Sequence, residues 1–328
     1  MKIIHVVNKP MPPTGRNGGL PVMVDILAQA QVKMGYDVDV IAISQHRQSK
    51  ELYSDRPPYS IYRAQQSAEA CNIIKKSNVQ VVHLHCNNNS VKQFCNINKI
   101  TYVRTEHSLV PVQHRDSSFY DNVIFVSKSH ANFHQHSVYI YNGIDTDAFN
   151  TKLRTPDTKN YLLFLGQVSR SKKGAADAIR IARNLKMPLL VAGGRNSRLP
   201  ATWLRWPCSI IRPVGTVWGE EKLNILSNAK CLLVPSLWEE PFGLVMIEAL
   251  ACGVPVLAYN KGAASEIVRH GETGFLCENW EDMAARIADV PNLQPELCLK
   301  DVRHRFSSIT MAKGYAVYYA KALAGEKW

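Results

Sequence analysis

The stretch CLLVPSLWEEPFGLVMIEALACGVPVLAYN runs from Cys231 to Asn260. Its first six residues are apolar and strand-like. A Glu-, Pro- and Gly-containing loop follows, then an apolar helical run, then a second strand-like run, GVPVLAYN. Strand, helix and strand in immediate succession form a βαβ unit, and its two strands lie parallel. The loop LWEEPFG then sits at the carboxyl end of a strand, where open α/β sheets bind ligands. Pro241 suits the first position of a helix and places Glu240 at its N-cap. The amides of Phe242, Gly243 and Leu244 would fall in the first turn without intrahelical partners, which suits a phosphate.

Glu248 is the anomaly of this segment. Leu244 to Ile247 precede it and Ala249 to Ala251 follow it, all apolar. A glutamate is rarely buried without a partner, because the cost of an unpaired charge is high. On a helix begun at Pro241, Glu248 would lie about 12 Å beyond Glu240 along the axis. That is too far to share a proton. The two carboxylates read as acceptors for different parts of one long ligand bearing hydroxyls at both ends. Taken singly, Glu240 reads rather as a solvated cap and Glu248 as half of a buried ion pair with an arginine or lysine; the pair together points to a ligand.

The same alternation extends along all 328 residues. KIIHVV, YDVDVIAIS, VQVVHLHC, ITYVRTEH, NVIFVS and VYIYNG are near-continuous apolar runs, as in buried parallel strands. A helix is predicted over about Leu20 to Met34, ended by Gly35. The polar segment Asn150 to Asn160 reads as a linker, after which YLLFLGQV, MPLLVAGG, SIIRPVG, CLLVPS, GVPVLAYN and GFLC restart the pattern. Helices are predicted over Ala175 to Leu185 and Glu220 to Asn228. The fold class is therefore α/β with two doubly wound, Rossmann-like domains facing across a cleft: residues 1–150, residues 151–305, and a C-terminal helix within 306–328 packing back on the first domain. The cleft is the expected site.

Composition narrows the function. Hydrophobic residues make up 46% and charged residues 20%, as in a soluble globular protein. No apolar run reaches the ~18 residues of a membrane span, and the first apolar run is too short for a signal peptide. The eight cysteines show no CxxC pair and no metal-ligand spacing, so they read as reduced core residues of a cytoplasmic protein. Net charge is +12, with 15 basic and 11 acidic residues up to position 150, and 24 and 16 beyond it. Such an excess suits an anionic partner: a phosphorylated small molecule or an anionic membrane surface. Nucleic acid is not expected, because the basic residues are not interleaved with aromatic residues for base stacking.

Several other residues stand at predicted strand ends. Gly18 and Gly19 follow the first strand and let backbone approach a ligand closely. His107 ends ITYVRTEH, with Glu106 beside it as a local partner. His83 and His85 alternate along one strand and share a face. They read as structural or cleft-lining. No DxD-type motif stands where enzymes that need one for a metal would carry it, so no metal is expected.

EEPFGLVMIEALACGVPVLA resembles the E-x7-E signature of the retaining nucleotide-sugar glycosyltransferases of GT-B fold, family four. The resemblance runs along most of the chain: NGGLPVMVDILAQAQVKMGYDVDVIA, VVHLH, TEH, VIFVSKS and YNGIDTDAF in the first domain, and FLGQVSRSKKGAADAI and GAASEIVRHGETGFL in the second. It implies that Glu240 holds hydroxyls of the donor sugar and that Glu248 accepts from the ribose diol. It implies that Lys173 binds the diphosphate. The family's arginine position holds Gln167, in a loop one residue longer, and Arg170 or Lys172 would supply that charge. It implies that the Gly18–Gly19 loop, with Arg16, faces the donor phosphate, and that His107 lies near the reacting end of the sugar. Gly193, Gly194 and Gly215 would border the base.

The expected catalytic residues are thus His107, Glu240 and Lys173. The expected donor contacts are Gly18, Gly19, Arg170, Lys173, Glu240, Phe242, Gly243, Leu244 and Glu248. The expected activity is retaining, metal-independent transfer of a hexose-like sugar from a nucleoside diphosphate to a hydroxyl of a glycan or lipid-linked acceptor. No cofactor is expected beyond the nucleotide sugar as donor substrate. Basic charge and reduced cysteines fit a cytoplasmic enzyme at the inner face of the membrane, building lipopolysaccharide or another surface glycan. The rival readings are a two-carboxylate hydrolase, a GT-B sugar-nucleotide epimerase and a non-catalytic sugar-nucleotide binding protein.

Overall fold

The computed structural model describes residues 1–13, 18–44, 57–116, 118–149, 161–194 and 210–328. They form two units: Met1–Asp145 with Ser307–Trp328, and Thr146–Phe306.

Unit 1 is built on strands β1 (Lys2–Val7), β2 (Asp37–Ile43), β3 (Ser60–Ala64), β4 (Val81–Leu84), β5 (Thr101–Glu106) and β6 (Val123–Phe125). All pair in parallel, in the order β3-β2-β1-β4-β5-β6. The central strands are apolar on both faces because helices cover both: Ile3, Ile4, Val6, Val7, Val81 and Val82 are fully buried. β3, SIYRA, is an edge strand with mostly exposed side chains and carries no continuous apolar run. Conversely, VYIYNG is not a strand. Among the described residues it makes one isolated bridge, Tyr139 to Phe125, so its apolar side chains pack without a ladder.

Unit 2 repeats this topology with β7 (Leu162–Leu165), β8 (Leu189–Ala192), β9 (Ile211–Gly215), β10 (Cys231–Val234), β11 (Val256–Tyr259) and β12 (Gly274–Cys277). The order is β12-β11-β10-β7-β8-β9, again parallel. Counted within each unit, both sheets follow the order 3-2-1-4-5-6, in which winding reverses between the first and fourth strands. Ligands bind beyond the carboxyl ends of those two strands. In unit 2 these ends are the loops after β7 and β10, and in unit 1 the loops after β1 and β4.

The helix Ser308–Leu323 belongs to unit 1, where it packs on the helix Gly19–Lys33 and on β5. The Ser307 side chain caps it, accepting from the Thr310 amide at 3.2 Å. Met311, Ala312, Tyr315 and Tyr319 recur at helical spacing and form its buried face. Burying each large side chain contributes roughly 1.5–3 kcal/mol. The Ser308 amide donates to the Ile144 carbonyl at 2.7 Å, joining the two chain segments of this unit. Among the described residues no helix is long and apolar enough to cross a membrane. Seven cysteines are free thiols; Cys208 lies outside the described residues.

Candidate active site

The loop after β7 ends in a 3-10 turn, Ser171–Lys173, and then Gly174, which has a φ of 73°. A Cβ on Gly174 would fall 1.8 Å from the Pro235 carbonyl oxygen at the end of β10. Only glycine allows the two switch-point loops to meet so closely. Their contact brings Lys173 to Glu240, with Nζ 2.6 Å from Oε2. Trp238 Nε1 donates to the same oxygen at 2.9 Å, and Ser236 Oγ at 3.4 Å. Lys172 Nζ lies 3.3 Å from the centre of the Trp238 ring, and its carbonyl accepts from the Leu237 amide at 2.8 Å. Three donors on one carboxylate oxygen fix the Glu240 rotamer, and two lysine charges stand beside it. From the other side Gly262 seals the loop: a Cβ there would fall 2.4 Å from the Glu240 nitrogen. The Ala263 amide donates to the Glu240 carbonyl at 3.0 Å. Arg170 precedes the 3-10 turn and is exposed, as is Gln167.

The helix carrying Glu248 spans Leu244–Ala251, not the stretch from Pro241 that the proline suggests. Gly243, at a φ of 100°, is its N-cap, and that backbone cannot continue a helix. Pro241 and Phe242 therefore lie in the preceding loop, and helical rise does not set the separation of Glu240 from Glu248. The Phe242 ring is buried edge-on against Phe306. Of the amides expected in the first turn, that of Leu244 begins the helix.

Glu248 is 6% exposed. Its Oε1 accepts from Lys222 Nζ at 2.6 Å, whereas Oε2 is buried with no hydrogen-bond partner among the described residues. The ion pair is thus present, and a second acceptor remains unused within it. A buried carboxylate oxygen left unpaired is costly, so it marks a place for a donor. Gly193 and Gly194 follow β8 with φ of 113° and 85°, and the Gly193 amide donates to the carbonyl of Gly215 at the end of β9 at 2.6 Å.

In unit 1, Gly18 is the N-cap of the helix Gly19–Lys33, with a φ of 77°. Arg16 lies outside the described residues. His107 follows the last residue of β5 and is half-buried. Its Nε2 lies 3.1 Å from His85 Nδ1, and His85 Nε2 lies 2.9 Å from His5 Nδ1. His5 Nε2 reaches Gln31 Oε1 at 2.7 Å. Burial pushes the imidazoles of His5 and His107 down to about 4, and those of His83 and His85 well below their ordinary value. All four are neutral at pH 7. Glu106 is a local partner, receiving Ser108 Oγ at 2.7 Å and the amides of His107 and Ser108, and it pairs with fully buried Arg104 at 2.6 Å. Burial opposes its ionisation, but the Arg104 charge and the Ser108 donors outweigh this and hold its carboxyl below the usual range.

One nitrogen from each of His5, His83 and His85 lies within 4.8 Å of the others. These are the ligand-type groups that come together among the described residues. Their nitrogens are taken by one another and by His107, Gln31, Tyr319 and Thr105. The structure thus joins Lys173 with Glu240, and His107 with a histidine cluster. Lys222, Trp238 and Gln31 are site-associated residues that sequence reasoning did not select. Trp238, two positions before Glu240, was the one within reach of the motif.

Two six-stranded parallel sheets of one topology, each with its polar residues gathered at the winding reversal, define the GT-B class. The family described as "Glycosyl transferases group 1" matches residues 145–308, and that described as "Glycosyltransferase Family 4" matches residues 17–148. The chain belongs to this glycosyltransferase family. A D-inositol 3-phosphate glycosyltransferase of Rhodococcus erythropolis is 30% identical over 202 residues, covering 54% of this chain and 45% of that protein. The match therefore spans less than half of that relative's length. An uncharacterized glycosyltransferase of Methanocaldococcus jannaschii is 26% identical over 79% of this chain and 80% of its own. Among solved structures, AviGT4, a glycosyltransferase involved in avilamycin A biosynthesis, superposes with a TM-score of 0.78 at 21% identity, covering 100% of this chain and 99% of its own. The Anabaena protein HepE, in complex with UDP and glucose, superposes with a TM-score of 0.78 at 16% identity, covering 98% and 100%. At these identities the likeness is one of fold.

Proposed function

We propose that the chain transfers a hexose-like sugar from a nucleoside diphosphate to a hydroxyl of a glycan or lipid-linked acceptor, with retention at the anomeric carbon. One observation carries the reading: the buried Oε2 of Glu248, unpaired beside an ion-paired Oε1. A ribose diol supplies the hydroxyl donor that this oxygen lacks. Glu240, held by Lys173 and Trp238, accepts from hydroxyls of the sugar. Lys173, with Lys172 or Arg170, compensates the charge that develops on the diphosphate. His107 takes a hydroxyl of the sugar near its reacting end.

In the proposed step the bond from the anomeric carbon to the diphosphate oxygen breaks. The acceptor oxygen bonds to that carbon on the same face, and its proton passes to an oxygen of the departing diphosphate. No protein nucleophile takes part. Catalysis comes from placing the reactants and from preorganised charge at the leaving group.

The test is a thermal-shift screen of UDP-, GDP-, ADP- and dTDP-sugars, followed by mass spectrometry of the products and NMR of the anomeric centre. A stabilising nucleotide sugar and a retained-configuration glycoside are expected. An inverted product would overturn the stereochemistry. Binding without turnover against a broad acceptor panel would favour a binding protein, and a changed sugar nucleotide with no acceptor present would favour an epimerase. An anionic membrane surface as second partner rests on the net charge of +12. It predicts salt-sensitive binding to anionic vesicles and fails if none occurs at low salt.

A further inference from the structure

Behind His107 runs a chain of hydrogen bonds through the core of unit 1. Beyond Gln31 it continues: Gln31 Nε2 donates to the Tyr319 hydroxyl at 2.9 Å, which lies 2.7 Å from His83 Nδ1. His83 Nε2 lies 2.7 Å from Thr105 Oγ1, and Thr105 Oγ1 donates to the Tyr315 hydroxyl at 3.0 Å. Seven hydrogen bonds link eight side chains drawn from β1, β4 and β5, the His85 and His107 positions just beyond β4 and β5, and two helices. His5, Gln31, His83, Thr105, Tyr315 and Tyr319 are all fully or nearly fully buried.

Two of these contacts have a fixed direction, and they agree. A neutral imidazole carries one N–H and one lone pair, so each ring passes a direction along the chain. Because Gln31 Nε2 donates to Tyr319, the amide oxygen of Gln31 faces His5 and can only accept. His5 therefore donates from Nε2 and accepts at Nδ1. His85 then donates from Nε2 and accepts at Nδ1, and His107 must donate from Nε2. On the other side of Gln31, Tyr319 donates to His83 Nδ1, His83 Nε2 donates to Thr105, and Thr105 donates onward to Tyr315. That last step is the direction its geometry has independently. Had His83 carried its proton on Nδ1, Thr105 would have donated to His83 instead. The bonds therefore run one way, from His107 to Tyr315.

We propose that Gln31, His5 and His85 are positioning residues that hold His107 as the Nε2–H tautomer, so that its Nδ1 lone pair is offered as an acceptor to a substrate hydroxyl. Among the described residues Nδ1 of His107 has no hydrogen-bond partner. The neutrality that burial imposes on His5, His85 and His107 keeps the chain intact at pH 7. The amide of Gln31 does not pass a proton on as an imidazole would, so the chain sets orientation and is not a proton conduit. The functional half of the inference rests on the reading that His107 meets the sugar, whereas the tautomer does not.

Long-range 1H–15N NMR of the histidine rings in the full chain reads the tautomer directly. His107 and His85 are expected as Nε2–H forms in the wild type. An Nδ1–H form of His107 overturns the proposal by itself. In Gln31→Leu, which removes the acceptor at His5, His107 is expected to become a tautomer mixture, and kcat/KM for the sugar nucleotide to fall about tenfold with affinity for the free nucleoside diphosphate unchanged. Gln31→Glu keeps an acceptor at His5 and is expected to restore the wild-type His107 spectrum. A Gln31→Leu protein with mixed tautomers and full kcat/KM overturns the positioning role. Wild-type kcat/KM in His107→Ala overturns instead the assignment of His107 to the sugar, leaving the wild-type tautomer as an independent result.

Discussion

Lys222 and Glu248 meet at 2.6 Å across 26 residues of sequence, and only one of the two carboxylate oxygens of Glu248 takes part. The pair holds a negative charge inside an apolar helix environment, with side-chain exposures of 20% and 7%. Removing the lysine alone leaves a buried charge without its partner. Lys222→Met should therefore destabilise unit 2 by about 3–5 kcal/mol, read by urea unfolding. Adding Glu248→Gln should recover most of that loss, and equal stabilities of single and double variants would refute the coupling.

The free oxygen of Glu248 predicts a ligand preference. Glu248→Gln should weaken nucleoside diphosphate binding about tenfold to a hundredfold, the value of a hydrogen bond to a charged group. The loss should be confined to ribonucleotides: calorimetry with the 2′-deoxy nucleotide should find wild type and variant alike. Equal losses for both would mean that the carboxylate does not meet the diol.

Glu240→Ala and Lys173→Ala should each lower kcat by about 10²–10³, the scale of losing one preorganised electrostatic group. Both side chains are partly solvated, so the melting temperatures should stay near that of the wild type. Turnover near wild type in a folded Glu240→Ala protein would remove it from the mechanism. Trp238→Phe deletes the indole donor to Glu240 but keeps a ring beside Lys172. It should reduce kcat less than Trp238→Ala does.

Acid should act on unit 1 first. Burial depresses His5, His107 and His130 to about 4 and holds His83 and His85 well below their ordinary value, whereas the unfolded chain titrates near 6.5. Between those values the unfolded state binds more protons, so stability falls as pH drops from about 6.5 toward 4. The slope is about 1.4 kcal/mol per pH unit for each such histidine. Near-UV circular dichroism and histidine NMR should show unit 1 losing its packing near pH 5. A flat stability profile between pH 7 and 5 would contradict the buried neutral state.

Turnover should persist unchanged in EDTA, since the proposed chemistry uses lysine charge at the diphosphate. Loss of activity on chelation, restored by a divalent cation, would refute this.

Both sheets were legible because a strand buried on two faces must be apolar almost throughout, as GFLC is and as KIIHVV is apart from Lys2 and His5. The edge strand Ser60–Ala64, half exposed, carries no such run, and VYIYNG carries one but pairs almost nothing. Proline at 241 mimicked a helix start, yet the backbone of Gly243 decides where the helix begins. The glutamates stood out because a carboxylate in an apolar run needs a reason. Lys222 did not, because a lysine on a short amphipathic helix looks like any surface lysine until the fold brings that helix to Glu248. The histidine chain was least legible of all. Its partners stand up to 288 residues apart, and nothing local in LHC or TEH announces Tyr319.

That separation has a consequence for biosynthesis. Tyr315 and Tyr319 complete the core of a unit whose first strand is made more than three hundred residues earlier. Unit 2 is contiguous and can finish as it leaves the ribosome, whereas the nascent N-terminal sheet must wait, with His83 and Gln31 uncovered, until translation has passed residue 323. A released chain truncated after residue 306 should hold a protease-resistant Thr146–Phe306 body and a labile amino-terminal half, reversing the usual order in which the first domain made is the first one finished.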